Sequence, residues 1–163
     1  MAGIKAIRVH VPKNVLALTA NAVGTYQAYI DVAIKDMGRD AEKLAKGGTP
    51  VGAYGKLRDS VNLIYLPFGF RVKWTAPYAE AVQYGTKPHW VPIAPLIDWV
   101  RVKLGSVDRA LPYKVQAKIA RAGTRGKHYL EPIRSKVYQS ASGIFRARMQ
   151  LLAKVLSGNL GAP

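Results

Sequence analysis

The residues best suited to forming a chemically active site lie in one short stretch, VQYGTKPHWVPIAP, at positions 82–95. It brings together a glycine, a hydroxyl, a lysine and a histidine, which are Gly85, Thr86, Lys87 and His89. Such a set is compatible with a phosphate-binding loop, a metal-binding site or a catalytic loop. The rest of the chain has to decide among these three kinds of site.

A phosphate site or a metal site does not fit the pattern. A phosphate loop needs several glycines followed by a helix N-terminus, whose dipole favours anions. Here the predicted helix precedes Gly85, so the loop meets a helix C-terminus, where the dipole is negative. A metal site would need His89 and His128 to converge with carboxylates, and the chain has no HxxxH or HxH pair and no cysteine. The sequence therefore predicts neither a cofactor nor a metal.

Catalysis would require a base beside a nucleophile and a third group that orients it. The chain has three histidines and nine carboxylates. Asp36 and Asp40 are spaced with Lys43 as on an ordinary helix surface. Glu80 and His89 could meet, as could any two nearby polar residues. We predict that the protein is not an enzyme and has no catalytic residues.

The net charge is the most unusual property of the composition. The chain has 25 Lys and Arg against 9 Asp and Glu, a formal charge of +16. The imbalance is concentrated at the C-terminal end, since residues 1–100 have 12 basic and 7 acidic side chains and residues 101–163 have 13 and 2. Such a field favours nucleic acid, an anionic membrane surface or an acidic protein face.

One set of basic residues has a helical spacing. Lys114, Lys118 and Arg121 fall on one face of a predicted helix, and Arg125 and Lys127 follow them. These five residues are candidate contacts to DNA or to an acidic partner. A stripe of this kind follows phosphates without reading bases, and no zinc finger, RNP-type stretch or helix-turn-helix accompanies it.

The hydrophobic patterns predict a single α+β domain, 1–163, in which a small antiparallel sheet is packed by two long helices with short helices inserted. The sheet consists of a hairpin at about 61–74 and an N-terminal strand that Pro12 ends. The predicted helices are 14–46, 78–84, 96–104, 111–122 and 132–156. Gly38 could bend or break the first of them, and Gly143 interrupts the last. The glycine-rich segment 47–56 is predicted to be a flexible loop, and the tail 157–163 to fray.

Membrane insertion and secretion are not expected. No apolar run approaches the roughly 18 residues of a membrane span, and the N-terminal stretch lacks the apolar region of a secretory signal. We therefore expect a soluble protein.

Two short motifs echo each other. GTKPH (85–89) and GTRGKH (123–128) both place Gly-Thr after a predicted helix and then a basic residue and a histidine, with Trp90 or Tyr129 next. Two matches are too few for a repeat architecture. We interpret them as the same way of ending a helix, used twice.

Three stretches, in this order, resemble the neck proteins of tailed bacteriophages, called tail-completion or head–tail joining proteins. They are TPVGAYGKLRDSV (49–61), APYAEAVQYGTKPHWVP (76–92) and GTRGKHYLEP (123–132). The matching positions are Thr49, Pro50, Val51, Gly55, Leu57, Arg58, Ser60, Ala76, Pro77, Tyr78, Val82, Tyr84, Gly85, Thr86, Tyr129, Leu130 and Pro132. The chain departs from the pattern at Tyr54, usually threonine, at Gln83, commonly glutamate, and at Ile133, usually alanine.

The resemblance implies a non-enzymatic structural subunit that forms a ring, expected to be a hexamer, with genomic DNA passing through its lumen. Its partners would be other neck and tail proteins, namely a connector or stopper and a tail terminator or tail tube. It would be located in the virion, and in the host cytoplasm during assembly. A protein that binds nucleic acid without sequence preference is the alternative.

Four residues are candidate contacts to neighbouring subunits or partners. They are Arg58, Lys87, His89 and Trp90, chosen because Trp and Arg dominate interface anchors. The alternative for Trp90 is that it caps the hydrophobic core.

Overall fold

A computed structural model describes residues 6–10 and 23–157 of the chain. In chain order the strands are β1 (Ala6–His10), β2 (Val61–Leu66), β3 (Gly69–Trp74), β4 (Gly85–Thr86) and β5 (Thr124–Arg125). The helices are α1 (Val23–Gly48), α2 (Lys56–Asp59), α3 (Ala79–Tyr84), α4 (Ile93–Leu104), α5 (Leu111–Ala122) and α6 (Leu130–Leu156). The predicted α+β class is confirmed.

The main sheet has three antiparallel strands in the order β1-β3-β2. The predicted hairpin is present, with Val61 opposite Trp74 and Leu66 opposite Gly69. The N-terminal strand pairs with the other edge of β3, placing Ile7 opposite Val72. Alternate residues of β3, Phe70, Val72 and Trp74, are buried, because successive side chains of a strand point to opposite faces.

The two long helices pack along each other and, with the sheet, enclose the core. Buried residues of α1 recur at helical spacing, as expected of an amphipathic helix. They are Ile30, Ala33, Ile34, Met37, Ala41 and Ala45. The matching face of α6 includes Ile133, Val137, Ala141 and Leu152. The core is therefore a layer between a helix pair and one face of the sheet.

Both long helices continue through the glycines at which a break was expected. A Cβ on Gly38 would lie 2.8 Å from Cε1 of Tyr65, so this glycine gives room for β2 to cross α1. Gly143 lies inside α6, and in the described part of the chain no side chain or other segment comes within 4 Å of such a Cβ. The predicted interruption at Gly143 is wrong, because tertiary packing on both sides of it holds the helix together.

The carboxylates interpreted as helix-surface groups also join the two long helices. Asp36 accepts hydrogen bonds from the guanidinium of Arg148, with its Nε at 3.0 Å, and Asp40 accepts one from the hydroxyl of Ser140. Both remain partly exposed, so they are surface groups that also link α1 to α6, and a helical spacing alone does not show which face a neighbouring helix covers.

The segment between α1 and α2 is fixed at both ends. Buried Thr49 donates its hydroxyl hydrogen to Ala45 O (2.6 Å) and accepts the indole N–H of Trp74 (2.9 Å). Leu57, in α2, is buried in the core. The flexibility expected of 47–56 stays a prediction, as does the single domain.

Several predictions fall outside the described residues. The cap at Asn14, the end of the strand at Pro12 and the tail beyond Ser157 are among them. In the part of the chain that the structure describes, no helix is both long enough and apolar enough to cross a membrane.

Candidate interaction surface

The two Gly-Thr motifs meet and pair with each other. Gly85 lies opposite Arg125 and Thr86 opposite Thr124 in the two-stranded ladder β4–β5. The two threonine hydroxyls are 2.9 Å apart. Each motif follows a helix, α3 or α5. The two segments that end these helices look alike in the sequence, and they pair with each other in the fold. We call this ladder the Gly-Thr clasp.

Both glycines of the clasp are required by the backbone. Gly85 has φ 83° and ψ −176°, and Gly123 has φ 69° and ψ −159°. This region of backbone space is accessible almost only to glycine. A Cβ on Gly85 would lie 2.1 Å from Thr124 O, and one on Gly123 would lie 1.9 Å from Thr86 O. The two segments of the chain therefore approach each other more closely than a side chain at either glycine would permit.

Gln83 connects the clasp to the last helix. Its side chain is 1% exposed, and its Oε1 accepts the backbone N–H of Leu130 at 3.0 Å. Because Leu130 is the first residue of α6, an amide from α3 satisfies one of the free N–H groups at the start of that helix. The carbonyl of Gln83 also accepts the N–H of His128 at 3.0 Å. Segment 123–130 is thus tied to α3 at several points.

Tyr129 lies buried beneath the clasp. Its hydroxyl donates to Ala79 O at 3.3 Å, and its ring meets that of Trp74 edge to face, with 5.7 Å between the centroids. Burial, with a smaller contribution from Tyr84, raises the pKa of Tyr129 from 10.0 to about 12. The fold therefore favours the neutral phenol.

This pKa predicts a loss of stability in alkali. The unfolded chain ionises Tyr129 near pH 10, whereas the folded chain keeps it neutral to about pH 12. The contribution of neutral Tyr129 to the free energy of unfolding is therefore fully present below pH 10 and falls as the pH rises towards 12. Urea unfolding midpoints measured across this range should decline less steeply in Tyr129→Phe. Tyr113→Phe, at an exposed position, should keep the wild-type slope; equal slopes in all three proteins would contradict the assignment.

The loop that begins in the clasp presents the predicted tip residues to solvent. Lys87, His89 and Trp90 are all exposed, and Trp90 is 72% accessible. The alternative in which Trp90 caps the core is therefore wrong. His89 Nδ1 lies 2.9 Å from Lys87 O, a contact within the loop itself. Arg58 is also exposed but belongs to α2, where it pairs with Asp59 at 3.5 Å.

Helices α4 and α5 form a unit, residues 93–122, that we call the arm. The two helices contact each other, and Gln116 Nε2 donates to Val91 O at 2.7 Å, tying α5 to the loop. Many large apolar side chains of the arm face solvent. They are Ile97, Trp99, Val102, Leu104, Val107 and Tyr113, with Val107 91% accessible. The arm therefore exposes large apolar groups along much of its length.

The predicted basic stripe lies on the outer face of the arm. Lys114, Lys118 and Arg121 are exposed, while Pro112 and Gln116 on the same helix are buried. No acidic residue occurs between 109 and 130. Arg125 and Lys127 are also exposed, at the clasp. The structure thus places all five candidate basic residues along one continuous segment of the chain.

Groups suited to metal binding do not converge in the described ranges, 6–10 and 23–157. No set of three or more His, Asp or Glu side chains there could hold a metal ion. Glu80 and His89 do not form an ion pair in the same ranges; the ion pairs present involve Lys46, Arg58, Arg101, Arg134 and Arg148. The arrangement is one of exposed apolar and basic surface.

No protein-family model, no curated protein and no solved structure matches this chain. The resemblance to phage neck proteins therefore stays a prediction.

Sequence reasoning overlooked the exposed apolar residues of the arm. By their spacing Leu96, Trp99, Val100 and Lys103 or Leu104 share one face of α4, and of these only Val100 is buried. A usable indication was present, since Ile97, Val102 and Leu104 extend the apolar positions well beyond the single stripe of a surface helix.

Proposed function

We propose that the protein is a non-catalytic structural subunit of a phage neck, which associates with copies of itself into a ring at the head–tail junction. In this role it acts in the virion, after assembly in the host cytoplasm. Neighbouring rings, a connector or stopper and a tail terminator or tail tube, are its partners, and genomic DNA passes through the lumen. A hexamer is the expected ring.

The observation that carries this proposal is the exposed apolar surface of the arm. Leu104 and Val107 in the arm, and Trp90 in the loop that precedes it, are all more than half accessible in the isolated chain. Burying such residues against another subunit removes apolar surface from water at about 25 cal/mol per Å². Aromatic residues of this kind are also typical anchors of protein interfaces. A surface built this way suits association better than catalysis.

The residues that carry the family resemblance also support the proposal. Thr49 bonds Trp74, Gly55 precedes α2 with φ 67°, and Gly85 and Thr86 form the clasp. These residues make a hydrogen bond, a turn and a strand pairing that proteins with the same fold would need at the same positions. The resemblance therefore includes residues that shape the fold, as well as exposed positions such as Val51, Tyr78 and Tyr84.

The test is the oligomeric state across concentration. Sedimentation velocity at protein concentrations from about 1 μM to 1 mM detects association with free energies of about 4 to 8 kcal/mol. We expect a closed oligomer that forms without DNA. Combined Leu104→Ser and Val107→Ser, or Trp90→Ala, should shift it towards monomer by about 2 kcal/mol or more while the unfolding temperature stays close to that of the wild type.

The control substitutes an exposed valine away from the arm. Val32→Ser on α1 makes the same type of change as Val107→Ser at an exposed valine and should leave association unchanged. A chain that stays monomeric throughout the range, or a Val32 variant that weakens association as much as the arm variants, would contradict the proposal.

Sequence-independent binding of nucleic acid is the second candidate, favoured by the stripe of Lys114, Lys118 and Arg121. All three are exposed, and among the described residues none forms an ion pair. Each phosphate contact that they make would add about one unit to the slope of log affinity against log salt. A strict monomer that binds duplex DNA with such a slope would replace the ring proposal with this one.

A further inference from the structure

A cleft of about 600 Å³ opens between the 50–57 segment and helices α3 and α4. Large apolar side chains line it, contributed by three parts of the chain. Tyr54 comes from the segment, Tyr78 and Val82 lie one turn apart by α3, and Trp99 projects from α4. Its volume falls within the range of ligand-binding clefts.

Three lysines from separate parts of the chain converge on this cleft. Lys56 starts α2, Lys103 follows Trp99 by one turn of α4, and Lys127 leaves the clasp. The ammonium of Lys56 lies 5.8 Å from the centre of the Tyr54 ring. Among the described residues that line the cleft, none is acidic.

The charges of these lysines are not neutralised locally. In the described part of the chain, none of the three is within ion-pair distance of a carboxylate. Asp98, next to Trp99, is already bonded to Arg101 at 2.8 Å. Three cations held around an aromatic cleft without acidic partners leave a positive field directed at whatever enters it.

We propose that this cleft binds an acidic segment of a partner protein, one that inserts a large apolar side chain between Tyr78 and Trp99 and places carboxylates against the three lysines. The lysines are all exposed, so they act as a charged rim that steers and orients a partner. A small ligand would instead need buried polar groups to fix it. The chain's 25 basic and 9 acidic residues make an acidic partner a better occupant than a second copy.

This inference goes beyond ring formation and does not depend on it, since a monomer would keep the cleft. The probe is a fluorescent peptide with a Leu-Trp-Leu centre flanked on each side by three glutamates, titrated with the full chain. Two control peptides replace the flanks with lysine or the centre with alanine. We expect saturable binding of the first peptide only, weakening as salt rises.

Variants assign the binding to the cleft. The combination Lys56→Glu, Lys103→Glu and Lys127→Glu should lower the affinity at least about 10-fold and flatten its salt dependence. Trp99→Ala should also weaken it. A matched set with the same charge change on the outer face of α5, Lys114→Glu, Lys118→Glu and Arg121→Glu, should stay within about 2-fold of the wild type.

Unfolding temperatures confirm that each variant is folded, and Lys103→Glu alone replaces the triple variant if that one is not. Equal loss in both triple variants, or equal binding of the alanine-centred peptide, would show attraction by net charge and overturn the proposal. Competition for the cleft by mixed-sequence duplex DNA would assign it to nucleic acid and would overturn the proposal equally.

Discussion

Replacing Gly85 or Gly123 with alanine is expected to destabilise the protein by about 3 kcal/mol or more. Each glycine has a backbone conformation that alanine hardly adopts, and each would direct a Cβ into a carbonyl oxygen about 2 Å away, Thr124 O or Thr86 O. The strand ladder must separate to relieve either contact. Urea unfolding of the two single variants measures the cost.

Two other glycines separate the causes of this effect. Gly105 has φ 61° and ψ 15°, and no described residue beyond its chain neighbours comes within 4 Å of an added Cβ, so Gly105→Ala should cost only about 1 kcal/mol from backbone strain. Gly143 lies inside α6 in open space, and Gly143→Ala should stabilise by up to about 1 kcal/mol. If Gly85→Ala cost no more than Gly105→Ala, the close approach in the clasp would be contradicted.

The double variant tests whether the two motifs act as one unit. Alanines at positions 85 and 123 would strain the same ladder from opposite sides. A ladder that one substitution has already opened should therefore accommodate the second at little further cost in stability. We therefore expect the combined loss of stability to be clearly smaller than the sum of the single losses. Additive losses of stability would mean that the segments after α3 and α5 are stabilised independently of each other.

The regular elements could be predicted because local pattern and global packing agree in them. The alternation at Phe70, Val72 and Trp74 identifies a strand with one buried face, and the structure buries these residues. The spacing of Ile30, Ile34, Met37 and Ala41 identifies the inner face of α1 in the same way. Helix ends marked by glycine, such as Gly105 and Gly123, are also where the sequence places them.

What the sequence could not show is which separated parts meet. GTKPH and GTRGKH look alike, but nothing in either motif indicates that Thr86 and Thr124 face each other 38 residues apart. The partner of Asp36 is Arg148, which lies 112 residues away. Such contacts depend on the three-dimensional path of the chain, and a local pattern has no information on that path.

The candidate site was predicted in part. Lys87, His89 and Trp90 lie at an exposed loop, where an interaction surface was expected, and the basic stripe faces solvent. The cleft lined by Tyr78 and Trp99 was not foreseen, because its walls come from separate segments. Single-sequence reasoning identifies exposed groups more readily than concave surfaces that several elements share.

The second large effect is expected at Gln83, whose amide caps α6 from another helix. Gln83→Leu keeps a similar volume but leaves the buried N–H of Leu130 without its acceptor, at a cost of about 1 to 3 kcal/mol. Gln83→Ala adds a cavity at a side chain that is 1% exposed, and the total should reach about 3 to 4 kcal/mol. Denaturant unfolding at neutral pH measures both.

Gln83→Glu tests the cap directly, at the position where the resembling neck family commonly has glutamate. A carboxylate keeps the acceptor and is favoured at a helix N-terminus, so this variant should lose less stability than Gln83→Leu although the two side chains are similar in size. Gln139→Leu, on the exposed surface of α6, is the matched control and should change stability by less than about 0.5 kcal/mol. If Gln83→Leu lost no more stability than Gln139→Leu, this account of how α6 begins would be wrong, whereas a glutamate that destabilised more than leucine would show that the cost of burying its charge exceeds the value of the cap.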